Sequence, residues 1–162
     1  MKKIFYKWSE GLLTSLIILI FIAMTVIVFS QVVLRYGFGM NISWADEFSR
    51  FSMVWLAFLG AAVGIKYSEH TRIDFFINLL PLKGRVIIEI INKIIMIIFM
   101  LIISLYTILT LENSLKLMTP ALQIPTGLIQ LIIPFSGIVM IIYLIIQIVD
   151  LIKYGIAKEE IV

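Results

Sequence analysis

The stretch that decides the fold is residues 31–74, which read QVVLRYGFGMNISWADEFSRFSMVWLAFLGAAVGIKYSEHTRID. It leaves one apolar run through Arg35 and Tyr36, turns at glycine and asparagine residues, and enters a second apolar run through a polar cluster. The residues of that cluster are Trp44, Asp46, Glu47 and Arg50. On a helix, both carboxylates precede Arg50 by three or four residues, so both can reach its guanidinium group. The alternative is an ordinary water-facing helix start with acids in its first turn, as the helix dipole favours.

Composition assigns the chain to the integral membrane proteins. Of its 162 residues, 62% are hydrophobic and only 14% are charged, and the mean hydropathy is +1.12. Because the charges cluster between apolar runs, we expect a single all-α membrane domain, residues 1–162, with several spans. The net charge of +3 fits an anionic membrane surface and gives no reason to expect nucleic-acid binding.

Hydropathy and length place four transmembrane helices at about residues 11–35, 45–65, 86–112 and 126–152. The first apolar run, Gly11 to Leu34, spans about 36 Å as a helix, against a hydrocarbon core of about 30 Å, and is too long for a signal peptide. A short amphipathic helix at about residues 72–80 follows a capping box formed by Thr71 and Asp74, and lies in the membrane interface. Pro134 should bend the fourth helix.

The second span is long enough to cross the membrane only if it includes the polar cluster at its start. Residues 51–65 alone are too short to cross a bilayer, so the helix must begin near Trp44, with the cluster at the membrane surface. Trp55 continues a bulky aromatic stripe along this helix. Gly60 and Gly64 have the spacing that lets two helix backbones approach closely, although such pairs also occur by chance in apolar segments. His70 is read as a solvated loop residue in preference to a ligand, because no partner ligands accompany it.

The positive charges predict the orientation. Nine lysine and arginine residues fall on one side of a four-span arrangement and three on the other. The nine are Lys2, Lys3, Lys7, Lys66, Arg72, Lys83, Arg85, Lys153 and Lys158, and the three are Arg35, Arg50 and Lys116. Both termini are therefore expected in the cytoplasm, and the polar cluster outside.

The sequence lacks the residues that most membrane chemistry needs. With no cysteine and one histidine, it offers no disulfide, thiolate or His/Cys metal cluster, and no cofactor is expected. Ionisable groups are almost absent from the span centres, and no hydrolase, metalloprotease or nucleotide-binding motif occurs. The remaining polar residues fit interhelical hydrogen bonding: Gln31, Gln130, Gln147, Ser104 and Thr107. We do not expect an enzyme or a transporter that works alone. We expect a helper protein that packs against a larger membrane partner.

The motifs of residues 31–74 resemble those of a known family. They are Arg35-Tyr36-x-Phe38, Trp44-x-Asp46-Glu47-x-x-Arg50, Trp55, Leu59-Gly60-Ala61 and His70-x-x-x-Asp74. Together they are similar to the small membrane subunit, or Q component, of tripartite ATP-independent periplasmic (TRAP) transporters. Two positions depart from the family pattern, since Asp46 stands where glutamate is common and Gly39 where asparagine often follows the aromatic residue.

The resemblance implies a function. In that family the small subunit pairs with a large membrane subunit, which holds the sodium and substrate sites and moves as an elevator, and a secreted binding protein delivers an organic acid anion. This chain would be the fixed scaffold in the bacterial inner membrane, with the large subunit and the binding protein as partners alongside membrane lipid. Candidate subunit-interface residues are Arg35, Tyr36, Trp44, Asp46, Glu47, Arg50, Trp55, Gly60, Gly64, His70 and Asp74.

Two points stay open at this level. The cluster can be a charge network in which Asp46, Glu47 and Arg50 fix the second helix against Arg35 or against the large subunit, or a solvated helix start. The chain can also be a small exporter, although that class needs a carboxylate in its first span, or a membrane assembly factor. Sialic acids, C4-dicarboxylates and other carboxylates all remain candidate substrates.

The charge asymmetry gives a topological prediction. Single cysteines introduced near Asn41 and near Pro120 should react with a membrane-impermeant thiol reagent in intact cells, whereas cysteines near Pro81 and at the C-terminus should react only after lysis. External labelling at Lys83 would contradict the predicted orientation.

Overall fold

The structure is a computed structural model that describes residues 2–67 and 82–157. In this part of the chain five helices follow in order: α1 (Lys2–Phe38), α2 (Ser43–Tyr67), α3 (Leu82–Lys116), α4 (Thr126–Gln130) and α5 (Ile132–Ala157). There is no strand within these ranges, only an isolated bridge between Met118 and Pro125. The predicted interfacial helix at 72–80 lies outside the described residues, as do His70 and Asp74.

Among the described residues, four segments are long and apolar enough to cross a membrane: Gly11–Phe38, Ser43–Lys66, Val86–Lys116 and Thr126–Lys153. They confirm the predicted all-α fold with four membrane-spanning helices, while the orientation of the termini stays a prediction. Helix α1 has 37 residues, or about 55 Å at 1.5 Å per residue. It therefore exceeds the bilayer core, which tilting or projection into water accommodates.

Helix α5 occupies the centre of the arrangement. It packs against both α2 and α3, and α1 packs mainly against α2. In the membrane-spanning window 44% of the residues in the last span are buried, against 6% in the first. One core cluster joins Ala62 and Ile65 of α2 to Met140, Tyr143 and Leu144 of α5. Helix α1 therefore leaves most of its apolar surface open to its surroundings.

The fourth span is interrupted near Pro134. The proline ring carries no N–H that could donate to the carbonyl of Gln130, and the structure has a one-residue break at Leu131 between α4 and α5. Backbone hydrogen bonds from Leu131 to Gly127 (3.2 Å) and from Phe135 to Leu131 (3.2 Å) bridge the break. The fourth span is therefore two helices in succession, and the bend predicted at Pro134 stays a prediction.

A close approach between α3 and α5 occurs at Gly137. A Cβ atom at this position would overlap Ser104 Oγ and lie 3.8 Å from Ser104 Cβ. By contrast, a Cβ at Gly60 or Gly64 would meet no heavy atom within 4 Å. The glycine pair singled out in the sequence therefore faces open space, whereas Gly137 makes a tight helix contact, as does Gly127 against Leu115.

This contact can be tested by substitution. Gly137→Ala should destabilise the protein by about 1–3 kcal/mol, because added volume in a packed contact forces neighbouring atoms to move. Thermal unfolding in detergent measures the loss, and Gly64→Ala, in open space, is the matched control. Adding Ser104→Ala to Gly137→Ala should restore most of the loss, since the contacts that remain, to the residue-104 Cβ at 3.8 Å and the Met100 carbonyl at 3.9 Å, are ordinary ones. Equal melting temperatures for both glycine variants would contradict the assignment.

Candidate functional site

The connection from α3 to α4 folds as a tight loop, residues 117–125. The backbone N–H of Thr119 donates to the carbonyl of Ile124 (3.0 Å), and the N–H of Thr126 donates to the carbonyl of Leu117 (2.9 Å). The Thr119 hydroxyl accepts a bond from the N–H of Ile124 (3.1 Å). Gln123 adopts a left-handed φ of 55°. The loop therefore has a defined backbone conformation, with Thr119 buried at its centre.

Glu47 binds the backbone of this loop. Its Oε1 accepts a hydrogen bond from the N–H of Ala121 (3.0 Å), and its Oε2 accepts one from the N–H of Leu122 (2.9 Å). The Thr119 hydroxyl lies close to the same carboxylate, whose residue is only 9% exposed. Hydrogen bonds to a charged acceptor are the stronger kind. This bidentate contact therefore fixes the loop to the start of α2, 74 residues earlier in the chain.

Asp46 connects a different pair of elements. Its Oδ1 accepts a hydrogen bond of 2.7 Å from Nε2 of Gln31, which is buried on α1. The bond joins α1 to α2 beside the loop between them. Gln31 thus has the interhelical role predicted for it.

The two carboxylates therefore do not share Arg50. Arg50 is exposed, and although its charge acts on Glu47 through space, no ion pair joins the two side chains within residues 2–67 and 82–157. The physical reason is that loop N–H groups at the membrane edge have a strong need for an acceptor, and Glu47 supplies both of its oxygens to them. Within this chain Glu47 therefore binds loop amides, while a role of the cluster against the large subunit stays a prediction.

The remaining predicted site residues are dispersed. Trp55 donates its indole N–H to the carbonyl of Ile129 (3.1 Å), which ties α2 to α4 just before the helix break. Arg35, Tyr36 and Trp44 are exposed at the same end of the bundle as Glu47. The structure thus joins Glu47 and Trp55 to the segment 119–131 and leaves the other three side chains open to a partner or to lipid.

A second polar cluster lies at the opposite end of the helices. Gln147 of α5 donates to the carbonyl of Ile65 on α2 (2.7 Å) and accepts a hydrogen bond from Lys93 of α3. Because Gln147 is only 4% exposed, this is a buried three-helix contact. The sequence predicted that Gln147 forms an interhelical hydrogen bond. It could not identify the partners, because they lie far away in the chain.

Three loop residues that bind Glu47 or surround it were missed by the sequence reasoning: Thr119, Ala121 and Leu122. A backbone N–H has no side-chain identity that a motif could show, so Ala121 and Leu122 carry no pattern. The one available hint was Glu47 itself, because a carboxylate placed at the membrane edge needs donors.

These features define a class of protein: a helical membrane protein with four spans whose buried polar side chains connect its own helices and loop. Among the described residues, no group of three or more His, Cys, Asp or Glu side chains could hold a metal ion.

The chain belongs to the family described as "Tripartite ATP-independent periplasmic transporters, DctQ component", which it matches over residues 24–154. It is 33% identical over 142 residues, 88% of either chain, to a TRAP transporter small permease protein of Haemophilus influenzae. A C4-dicarboxylate TRAP transporter small permease protein, DctQ, of Vibrio cholerae is 40% identical over 63 residues, 39% of this chain and 27% of that protein. The sialic acid TRAP transporter permease protein SiaT of Haemophilus influenzae is 33% identical over 79 residues, 49% of this chain and 12% of that protein. The family resemblance is thereby confirmed.

The contact between Glu47 and the loop gives a direct prediction. In Glu47→Gln, one carboxylate oxygen becomes an amide group that cannot accept from a backbone N–H, so amide hydrogen exchange at Ala121 and Leu122 should accelerate strongly. Arg50→Gln should leave exchange in the loop nearly unchanged, and Glu112→Gln, in an exposed pair with Lys116, is the matched control.

The charge exchange Glu47→Arg with Arg50→Glu separates the two interpretations. The double variant should not restore the protection of the Ala121 and Leu122 amides from hydrogen exchange. A backbone N–H can only donate, so it cannot bond to the arginine that replaces Glu47. Recovery of protection in this double variant would show that Glu47 and Arg50 chiefly serve each other.

Proposed function

We propose that this chain is the scaffold subunit of a sodium-coupled TRAP transporter that imports an organic acid anion. Its partners are a large membrane subunit and a periplasmic substrate-binding protein. Membership of the DctQ family supports the assembly. The names of two relatives specify a C4-dicarboxylate and sialic acid. Both substrates are carboxylates, which supports an organic acid anion as the class.

The observation that carries the scaffold role is the use of the buried polar groups. Glu47 binds loop amides, Gln31 binds Asp46, and Gln147 binds the carbonyl of Ile65. Substrate and ion pathways in membrane proteins are marked by polar groups that face a cavity. In this chain Glu47, Gln31 and Gln147 instead bond to other parts of the same chain. We therefore assign the sodium and substrate sites to the large subunit.

Two open surfaces suit the large subunit. One is the apolar face of α1, which the other helices leave uncovered. The other is the side of α2 around Gly60 and Gly64, where small residues let a partner helix approach closely. Arg35 and Arg50 are exposed at one end of these helices and are candidates for polar contacts with either partner.

The proposed orientation follows the positive-inside rule, with both termini in the cytoplasm of a bacterium and the protein in its inner membrane. The loops at 39–42 and 117–125 then face the periplasm, on the side from which a binding protein delivers substrate.

Reconstitution tests the proposal. The chain alone in vesicles should neither bind nor transport an organic acid. Together with the large subunit and the binding protein, it should support uptake when an inward sodium gradient is applied, and replacing the gradient by potassium should abolish that uptake. Substrate binding by the isolated chain, or undiminished uptake by the other two components without it, would contradict the scaffold role.

A further inference from the structure

A pocket of about 470 Å³ opens between α1, α2, the loop 117–125 and α4. Its lining residues are Ile20, Phe48, Phe51, Ser52, Trp55, Leu122, Ile124, Leu128 and Ile129. This volume lies within the range of roughly 300–1,000 Å³ that is typical of ligand pockets. The lining is aromatic and aliphatic apart from Ser52, since the Trp55 indole N–H is already bonded to the backbone. The pocket therefore suits a hydrocarbon group.

The position of the pocket specifies the kind of hydrocarbon. Every lining residue except Leu122 and Ile124 belongs to a segment that can span the membrane. The pocket begins at Leu122, whose N–H binds Glu47 at the start of α2. From Phe48 to Trp55 it follows α2 inward for about 10 Å. Its lining thus extends along α2 from the membrane surface toward the centre, as a lipid tail does.

Ser52 supplies the polar part of the argument. It is only 6% exposed, it lines the pocket, and its hydroxyl has no hydrogen-bond partner among the described residues. Ser49, three positions earlier, bonds instead to the carbonyl of Ala45 (2.7 Å). The Ser52 side chain opens onto the pocket, whose apolar lining offers this hydroxyl no acceptor, and a hydroxyl in an apolar environment without a hydrogen bond is costly. An occupant with a hydrogen-bond acceptor at this depth would remove that cost.

We propose that the pocket holds one acyl chain of a phospholipid, and that the ester carbonyl of this chain accepts a hydrogen bond from Ser52. The lipid comes from the leaflet on the side of the loop 117–125. An ester carbonyl lies just below the headgroup, and Ser52 lies five residues, or about 7.5 Å, below Glu47 along α2. The site is separate from the proposed substrate and ion pathway, and it does not depend on which anion is transported.

Photo-crosslinking tests the site in the full chain. The protein, alone and with its large subunit, is reconstituted in phosphatidylcholine vesicles that contain phosphatidylcholine with a diazirine in the acyl chain. Peptides covering residues 48–55 and 122–129 should carry more label than the exposed face of α3 around Ile102 and Leu109. Equal labelling of the pocket and of that face would overturn the proposal, as would a peptide of the large subunit crosslinked in the pocket in place of lipid.

Two variants that fill the pocket extend the test. Ser52→Leu and Leu128→Phe should each reduce pocket labelling severalfold, whereas Met53→Leu and Leu131→Phe, on exposed surface nearby, should not. The two filling variants lie on different helices. If one of them misfolds, the other still tests the proposal. Unchanged labelling in a folded filling variant would overturn the proposal.

The hydrogen bond has its own readout. An ether-linked phosphatidylcholine probe lacks the ester carbonyl, so it should label the wild-type pocket more weakly than the ester-linked probe. In Ser52→Ala this preference should vanish, while both probes still enter. An equal preference for the ester in wild type and Ser52→Ala would exclude the proposed bond.

Discussion

The arrangement depends on one constraint: backbone N–H groups at the edge of a bilayer need acceptors, because hydrocarbon offers none. The loop 117–125 satisfies some of its N–H groups internally, but those of Ala121 and Leu122 bind the carboxylate of Glu47. Trp55, two turns further along α2, binds the carbonyl of Ile129 beyond the loop. One helix thus holds the segment 119–131 at two points.

Helix α2 is also fixed at its other end. The carbonyl of Ile65 accepts a hydrogen bond from Gln147, and Gln147 in turn binds Lys93 on α3. Carbonyls in the last turn of a helix have no partner within the helix, so an amide from α5 supplies one. With Asp46 bonded to Gln31 at its start, α2 is bonded directly to α1, α4, α5 and the loop, and α3 joins this network through Gln147.

Hydropathy predicted the four spans well, because a membrane segment is recognised by length and composition alone. The polar cluster was also placed correctly at the start of α2, since residues 51–65 cannot span by themselves. Its partners were not predictable. Helical spacing connects Glu47 with Arg50, whereas the donors that bind it lie 74 and 75 residues away. The spacing of Gly60 and Gly64 suggested a helix contact, which stays a prediction for a partner helix. Within this chain Gly127 and Gly137 make the close approaches, through neighbours that no local pattern identifies.

The break between α4 and α5 bears on where transport chemistry resides. Transporters use interrupted helices because the carbonyls released at a break can coordinate an ion in a cavity. Here the carbonyl of Ile129, next to the break, accepts the Trp55 indole N–H, and the adjoining pocket is lined almost entirely by carbon atoms. A cation entering that pocket would lose water without gaining oxygen ligands. The interruption therefore shapes the surface of the bundle and does not build an ion site in this pocket.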